Sequence, residues 1–176
     1  MMNRRSLMKW LHWLAFGLIL YFYLVEPEES RTDPGGALST HAGVGFLLAI
    51  IVVVWSVLYF RKGLASRPGP KLPGWAKKLH PMMHKALYVG MPVMMATGLL
   101  AGLLAPYAIR GFGLIPLNTA AGSKSLHELA EEVHEIAFDA LIILILVHAA
   151  FHIWRHFRLR DNALRIMVPR ALHRWL

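Results

Sequence analysis

Val133-His134-Glu135-Ile136-Ala137-Phe138-Asp139-Ala140-Leu141-Ile142-Ile143-Leu144-Ile145-Leu146-Val147-His148-Ala149-Ala150-Phe151-His152-Ile153-Trp154 is the stretch on which the fold turns. As a helix it is long enough to cross a hydrocarbon core of roughly 30 Å, which takes about 20 mostly apolar residues. Ionisable side chains inside a bilayer are expensive, so they face the bundle interior and usually serve a function. His134 and His148 are 14 residues apart, which is about 21 Å along a helix axis and within about 40° of a whole number of turns. One helix face therefore presents imidazoles at two depths.

Three further apolar stretches of similar length accompany it. The spans are expected at about residues 7–25, 41–60, 84–109 and 130–156, in one domain that takes up the whole chain. The segments between them carry turn chemistry, as in Glu26-Pro27-Glu28-Glu29-Ser30-Arg31-Thr32-Asp33-Pro34-Gly35-Gly36 and Arg67-Pro68-Gly69-Pro70-Lys71-Leu72-Pro73-Gly74. Only 16% of the 176 residues are charged, against about 25% in a soluble domain. The fold class read from this pattern is an all-α integral membrane four-helix bundle. The first span lacks a small-residue cleavage site and reads as retained rather than removed.

Charge placement orients the bundle, because Lys and Arg stay on the cytoplasmic side during insertion. Sixteen of the nineteen basic residues lie at the N-terminus, between spans two and three, or in the C-terminal tail. The opposite side has Arg31, Arg110 and Lys124, together with nine of the ten acids. Both termini are therefore expected in the cytoplasm of a bacterial inner membrane, with residues 157–176 as a basic cytoplasmic tail. The net charge of +9 reflects this topology and contact with anionic lipid, and no nucleic-acid partner is expected.

The chain has no cysteine, which excludes disulfides, thiolate metal sites and iron–sulfur clusters. Metal chemistry would rest on its ten histidines, nine methionines or carboxylates. His12 sits near the inner end of span one, His41 at the outer start of span two, His84 at the inner start of span three, and His134, His148 and His152 along span four. Paired imidazoles at two depths suit two six-coordinate haems, each iron held between two helices. A zinc site gathers three or four ligands about 2 Å from one metal, and the sequence does not cluster its histidines that way. A proton relay is the rival reading, but such relays usually include buried carboxylates, and span four has only Asp139 in its core. His134 to His152 is 18 residues, again a whole number of turns, so spacing leaves His148 and His152 equal as the inner ligand.

Leu11-His12-Trp13-Leu14, His41-Ala42-Gly43-Val44-Gly45, His84-Lys85-Ala86-Leu87-Tyr88, the His134-to-His148 interval and Asp161-Asn162-Ala163-Leu164-Arg165-Ile166-Met167 together resemble the bacterial cytochrome b561 family over nearly the whole chain. The resemblance implies a four-helix bundle with two haems b, ligated by His12 with His148 on the inner side and by His41 with His134 on the outer. It leaves His152 as a contact for propionate or quinone, sets His84 near the inner haem and gives His156 no defined role. It further implies electron exchange with the quinone pool, with ubiquinone as acceptor. Some members resemble superoxide oxidases, and more distant ones are haem-bearing anchor subunits that relay electrons for a partner dehydrogenase. Where relatives commonly carry Pro, one residue, Ser or Thr, then Gly, this chain reads Met95-Ala96-Thr97-Gly98, with its proline earlier at Pro92.

On this reading Lys9, His84 and His152 form the quinone site, and Arg31, Arg110 and Lys124 are candidate contacts for an anion on the outer side. The outer face otherwise bears a net charge of −6, which slows the approach of superoxide and favours a cationic redox partner. A homodimer is compatible with the sequence.

Overall fold

The computed structural model describes residues 4–25, 36–168 and 170–175. Four long helices make the body: α1 (Arg4–Leu24), α2 (Ala37–Lys62), α3 (Gly74–Leu104) and α4 (Lys124–Arg158). All four are long and apolar enough to cross a membrane. A short antiparallel hairpin, β1 (Arg110–Gly111) with β2 (Ile115–Pro116), lies between α3 and α4, and α5 (Ala163–Met167) follows α4.

The ends of the bundle are defined by what ties them. Arg4 Nη2 donates to Gly63 O at 2.8 Å, and Trp13 Nε1 donates to Met167 O at 2.9 Å. This is the termini end, where α1 begins and α4 finishes. At the opposite, hairpin end, Ser39 Oγ donates to Arg110 O at 2.5 Å and accepts from Gly113 N at 2.6 Å. Phe112 N adds a bond to Ser39 O at 3.0 Å. The hairpin is thereby seated on the first turn of α2, two residues before His41. Phe112 takes the left-handed conformation (φ 54°) and lays its ring on Gly43, where a Cβ would stand 2.5 Å from it.

A core drawn from all four helices fills the middle: Ala15 and Ile19, Leu48, Ile51 and Val52, Met91 and Met94, and Leu141. The outer surface is apolar too, with Leu20, Val53, Val89, Leu99, Ile143 and Leu146 exposed. In water such a surface would drive association. In a bilayer it faces its solvent, and helices satisfy their own backbone bonds there.

The helix bounds depart from the spans expected at residues 84–109 and 130–156. α3 begins ten residues earlier, at Gly74, and continues through Pro81 and Pro92. It stops at Leu104 because Ala105 precedes Pro106, whose ring disfavours helical backbone before it, and Ala105 is extended at ψ 133°. Residues 105–109 therefore belong to the hairpin segment. There Asn118 stitches the turn, its Nδ2 donating to Gly102 O at 3.0 Å and to Tyr107 O at 2.9 Å. α4 is longer than expected, running from Lys124 to Arg158, with Glu128, Glu131 and Glu132 following its first turn.

The basic residues at the end of α4 are not all solvated. Arg155 is buried, as is its partner Asp161, their side chains 3% and 4% exposed. Asp161 Oδ2 accepts from Arg155 Nε and Nη2, each at 2.7 Å. Its Oδ1 accepts from Ala163 N at 3.0 Å, holding the first turn of α5.

Candidate functional site

The histidines meet in two pairs and one trio. At the hairpin end α2 brings His41 to His134 of α4, with ring centres 6.4 Å apart. At the termini end α1 brings His12 to His148 of α4, again 6.4 Å apart. The apolar core lies between these levels. Among the described residues, His12 makes its histidine ring contact with His148 and none with His152, so packing separates two positions that helical spacing leaves equivalent.

That separation is informative. A metal–imidazole bond is roughly 2.0–2.1 Å, and a ring centre lies about 1.2 Å behind its nitrogen, so two imidazoles on opposite sides of one metal have centres about 6.4 Å apart. Both pairs match this value. His12 and His41 also bury an Nδ1 with no hydrogen-bond partner, and an unsatisfied buried polar atom costs about 1–3 kcal/mol. Axial ligation of a haem between two helices suits both features, and the residues present fit that group.

Among the described residues, the hairpin-end pair has a hydrogen-bonded positioning partner, Thr97, and none is seen at the other pair. Thr97 Oγ1 lies 2.8 Å from Met94 O and 3.1 Å from His134 Nδ1. Its single proton goes to the carbonyl, so Thr97 accepts from His134 Nδ1–H and leaves Nε2 bare. A bond of this kind sets tautomer and ring orientation in histidines that ligate metals. Gly98 makes room for the ring, because a Cβ there would stand 2.7 Å from His134 Cε1. Phe22 packs on His41 from the other side, ring centres 4.7 Å apart.

At the termini end a third group forms. His80 and His84 of α3, one turn apart, converge with His152 of α4, and all three offer ligand nitrogens within 4.8 Å of one another. His148 borders the group, its ring centre 5.1 Å from His84 and 4.7 Å from His152. The sequence showed no such cluster for two reasons. His84 was expected to open a span rather than lie a turn beyond another histidine, and the contact to His152 is tertiary. The His80/His84 spacing of four was the available signal.

The remaining expected residues are scattered. His84 and His152 come together, with ring centres 5.4 Å apart, but among the described residues no hydrogen bond or ion pair joins Lys9 to either. Lys124 is exposed and paired with Glu128 at 3.7 Å, Arg110 is exposed at the hairpin, and Arg31 lies outside the described residues. His156 is buried, with Nδ1 unpartnered. His127 is also buried, between Ala101 O at 2.9 Å and the Tyr107 hydroxyl at 2.7 Å, where it pins α4 to α3 and the segment after it.

Comparison with known proteins bears on what these pairs do. Residues 3–170 match the family described as prokaryotic cytochrome b561. Cytochrome b561 homolog 1 of Escherichia coli (strain K12) is 26% identical over 182 residues, covering 96% of this chain and 99% of the relative. With a match over almost its full length and four membrane-length helices that bring histidines together at two levels, the chain belongs to the prokaryotic cytochrome b561 family of haem-binding membrane electron carriers.

Proposed function

We propose that this protein carries electrons across a bacterial inner membrane between a donor at the hairpin end and ubiquinone at the termini end. Two haems b take part, one held by His41 and His134, the other by His12 and His148. The observation that carries this reading is the pair of imidazole couples, each with ring centres 6.4 Å apart, at opposite ends of one bundle. The bias of Lys and Arg toward the termini end supports cytoplasmic termini.

When bound, haems held by these histidine pairs would supply one-electron redox chemistry. The chain holds the ligands in place and keeps water out. Leu48, Ile51, Met91 and Leu141 make the layer between the two levels dry and rigid. Thr97 accepts the Nδ1 proton of His134 and so raises the basicity of its Nε2. A more basic ligand favours the oxidised metal, so Thr97→Val should raise the midpoint potential of one haem by on the order of tens of millivolts. Redox titration of the purified protein checks this, with the other haem unmoved.

The donor is approached across a surface that exposes Glu128, Glu132 and Glu135. A negative face repels superoxide and attracts a basic redox protein, and added salt screens both effects. Superoxide is the donor to test first, because the family resemblance points to it. The experiment supplies superoxide to the detergent-purified protein with ubiquinone and follows quinone reduction as ionic strength is raised. Turnover that quickens with salt is the expected result for the anion. Absence of turnover, with haem reduction only by a partner protein, would favour the anchor-subunit reading.

A further inference from the structure

We propose that His80, His84 and His152 form a third, non-haem metal site, which takes a divalent transition ion of the zinc type beside the termini-end haem pair. The three rings come from two helices and offer nitrogens within 4.8 Å of one another, against about 3.4 Å between ligand nitrogens of a tetrahedral ion with bonds near 2.05 Å. A bound ion would have to draw the nitrogens together by the difference.

The state of each nitrogen argues for the site more strongly than proximity does. His84 Nδ1 lies 2.7 Å from His80 O; a carbonyl only accepts, so Nδ1 carries the proton and Nε2 is bare. His80 Nε2 meets the Ser66 hydroxyl at 3.1 Å, while its Nδ1 is buried without a partner in a side chain that is 0% exposed. His152 likewise buries Nε2 without a partner. Each ring thus has a nitrogen free for a ligand bond, and two have the other nitrogen tied to an oxygen. Metal-binding histidines are oriented in this way, by a hydroxyl, carbonyl or carboxylate on the far nitrogen.

The donor set selects the ion. Three neutral imidazoles without thiolate or carboxylate suit Zn²⁺, Cu²⁺ or Ni²⁺ and not Mg²⁺ or Ca²⁺, which require oxygen. Three histidines leave a fourth position for water. Arg155 is near enough to act electrostatically on all three rings, but its charge is compensated by Asp161. The site also differs from the haem pairs in its ligands, because His12 faces His148 rather than any member of the trio.

The test uses untagged haem-loaded protein, stripped with a chelator and titrated with ZnCl₂ in a calorimeter, with metal analysis of the dialysed product. One zinc per chain beyond the haem iron is expected. Binding should weaken more than tenfold in His152→Gln and in His80→Ala, with the haem spectrum of both unchanged. The two variants are read separately, so failure of the more deeply buried His80→Ala to fold leaves His152→Gln to decide. Absence of zinc uptake, or equal uptake by the variants, would overturn the proposal. Loss of haem in His152→Gln would also overturn it, by assigning these imidazoles to the haem pocket. The readout is metal rather than turnover, so the result is independent of where quinone binds.

Discussion

Replacing His148 with alanine should reduce haem content from about two per chain to about one, while His152→Ala should retain both. Helical spacing makes the two residues interchangeable, so the difference rests on packing. His148 faces His12 at the 6.4 Å expected of an axial pair, whereas His152 faces His80 and His84. A single remaining imidazole holds haem weakly, and the loss should be close to complete at that site. The haem retained in His148→Ala should be the one held by His41 and His134, with the spectrum and potential it has in the wild type. Haem quantitation against protein in both variants checks this. Equal losses would mean that the termini-end iron draws on both residues.

The second large effect is on stability, in Asp161→Ala. Asp161 is the only acid on the termini side of the sequence, and its carboxylate takes two bonds from Arg155 and one from Ala163 N. Removing it strands a guanidinium with 3% exposure. Breaking one partner out of a buried pair costs about 3–5 kcal/mol, because the remaining charge is left without compensation. The damage should spread, since Arg155 also lies against Gly69, where a Cβ would come within 2.6 Å of Nη2. One guanidinium thus joins α4 to the α2–α3 loop and, through Asp161, to the first turn of α5. Thermal unfolding in detergent, followed through the Soret band, should show a marked loss for Asp161→Ala. Arg155→Met combined with Asp161→Leu should recover much of it, because replacing both partners with apolar groups leaves no buried charge. An unchanged midpoint for the single variant would mean that water reaches Arg155.

The fold was legible in the sequence because membrane helices are written in long uncharged runs, and such runs have one structural solution in lipid. The two levels of histidine on α4 were legible for a related reason. His134 and His148 lie on one helix, so their relative depth and face follow from helical geometry alone. What depended on contacts between helices was not legible. His80 is 0% exposed and meets His152 across 72 residues of chain, a proximity that periodicity does not encode. Thr97 stands in a recognisable motif, but its bond to His134 follows from the packing of α3 on α4. The bounds of α3 differ from those of the expected third span at both ends. Lys77 and Lys78 made the start of α3 look like loop, and the apolar residues Ala105 and Ile109 made the hairpin approach look like membrane helix. Arg155 counts toward the basic tail in the sequence, yet it is a structural ion pair in the fold.

The central claim is that one bundle holds two haems b in series, and haem stoichiometry with redox titration tests it most directly. Detergent-purified protein should give two haems b per chain by pyridine haemochrome, and its reduced-minus-oxidised spectrum should titrate as two one-electron centres. A single haem per chain, or none, would contradict the account and return one or both histidine pairs to a role in proton movement.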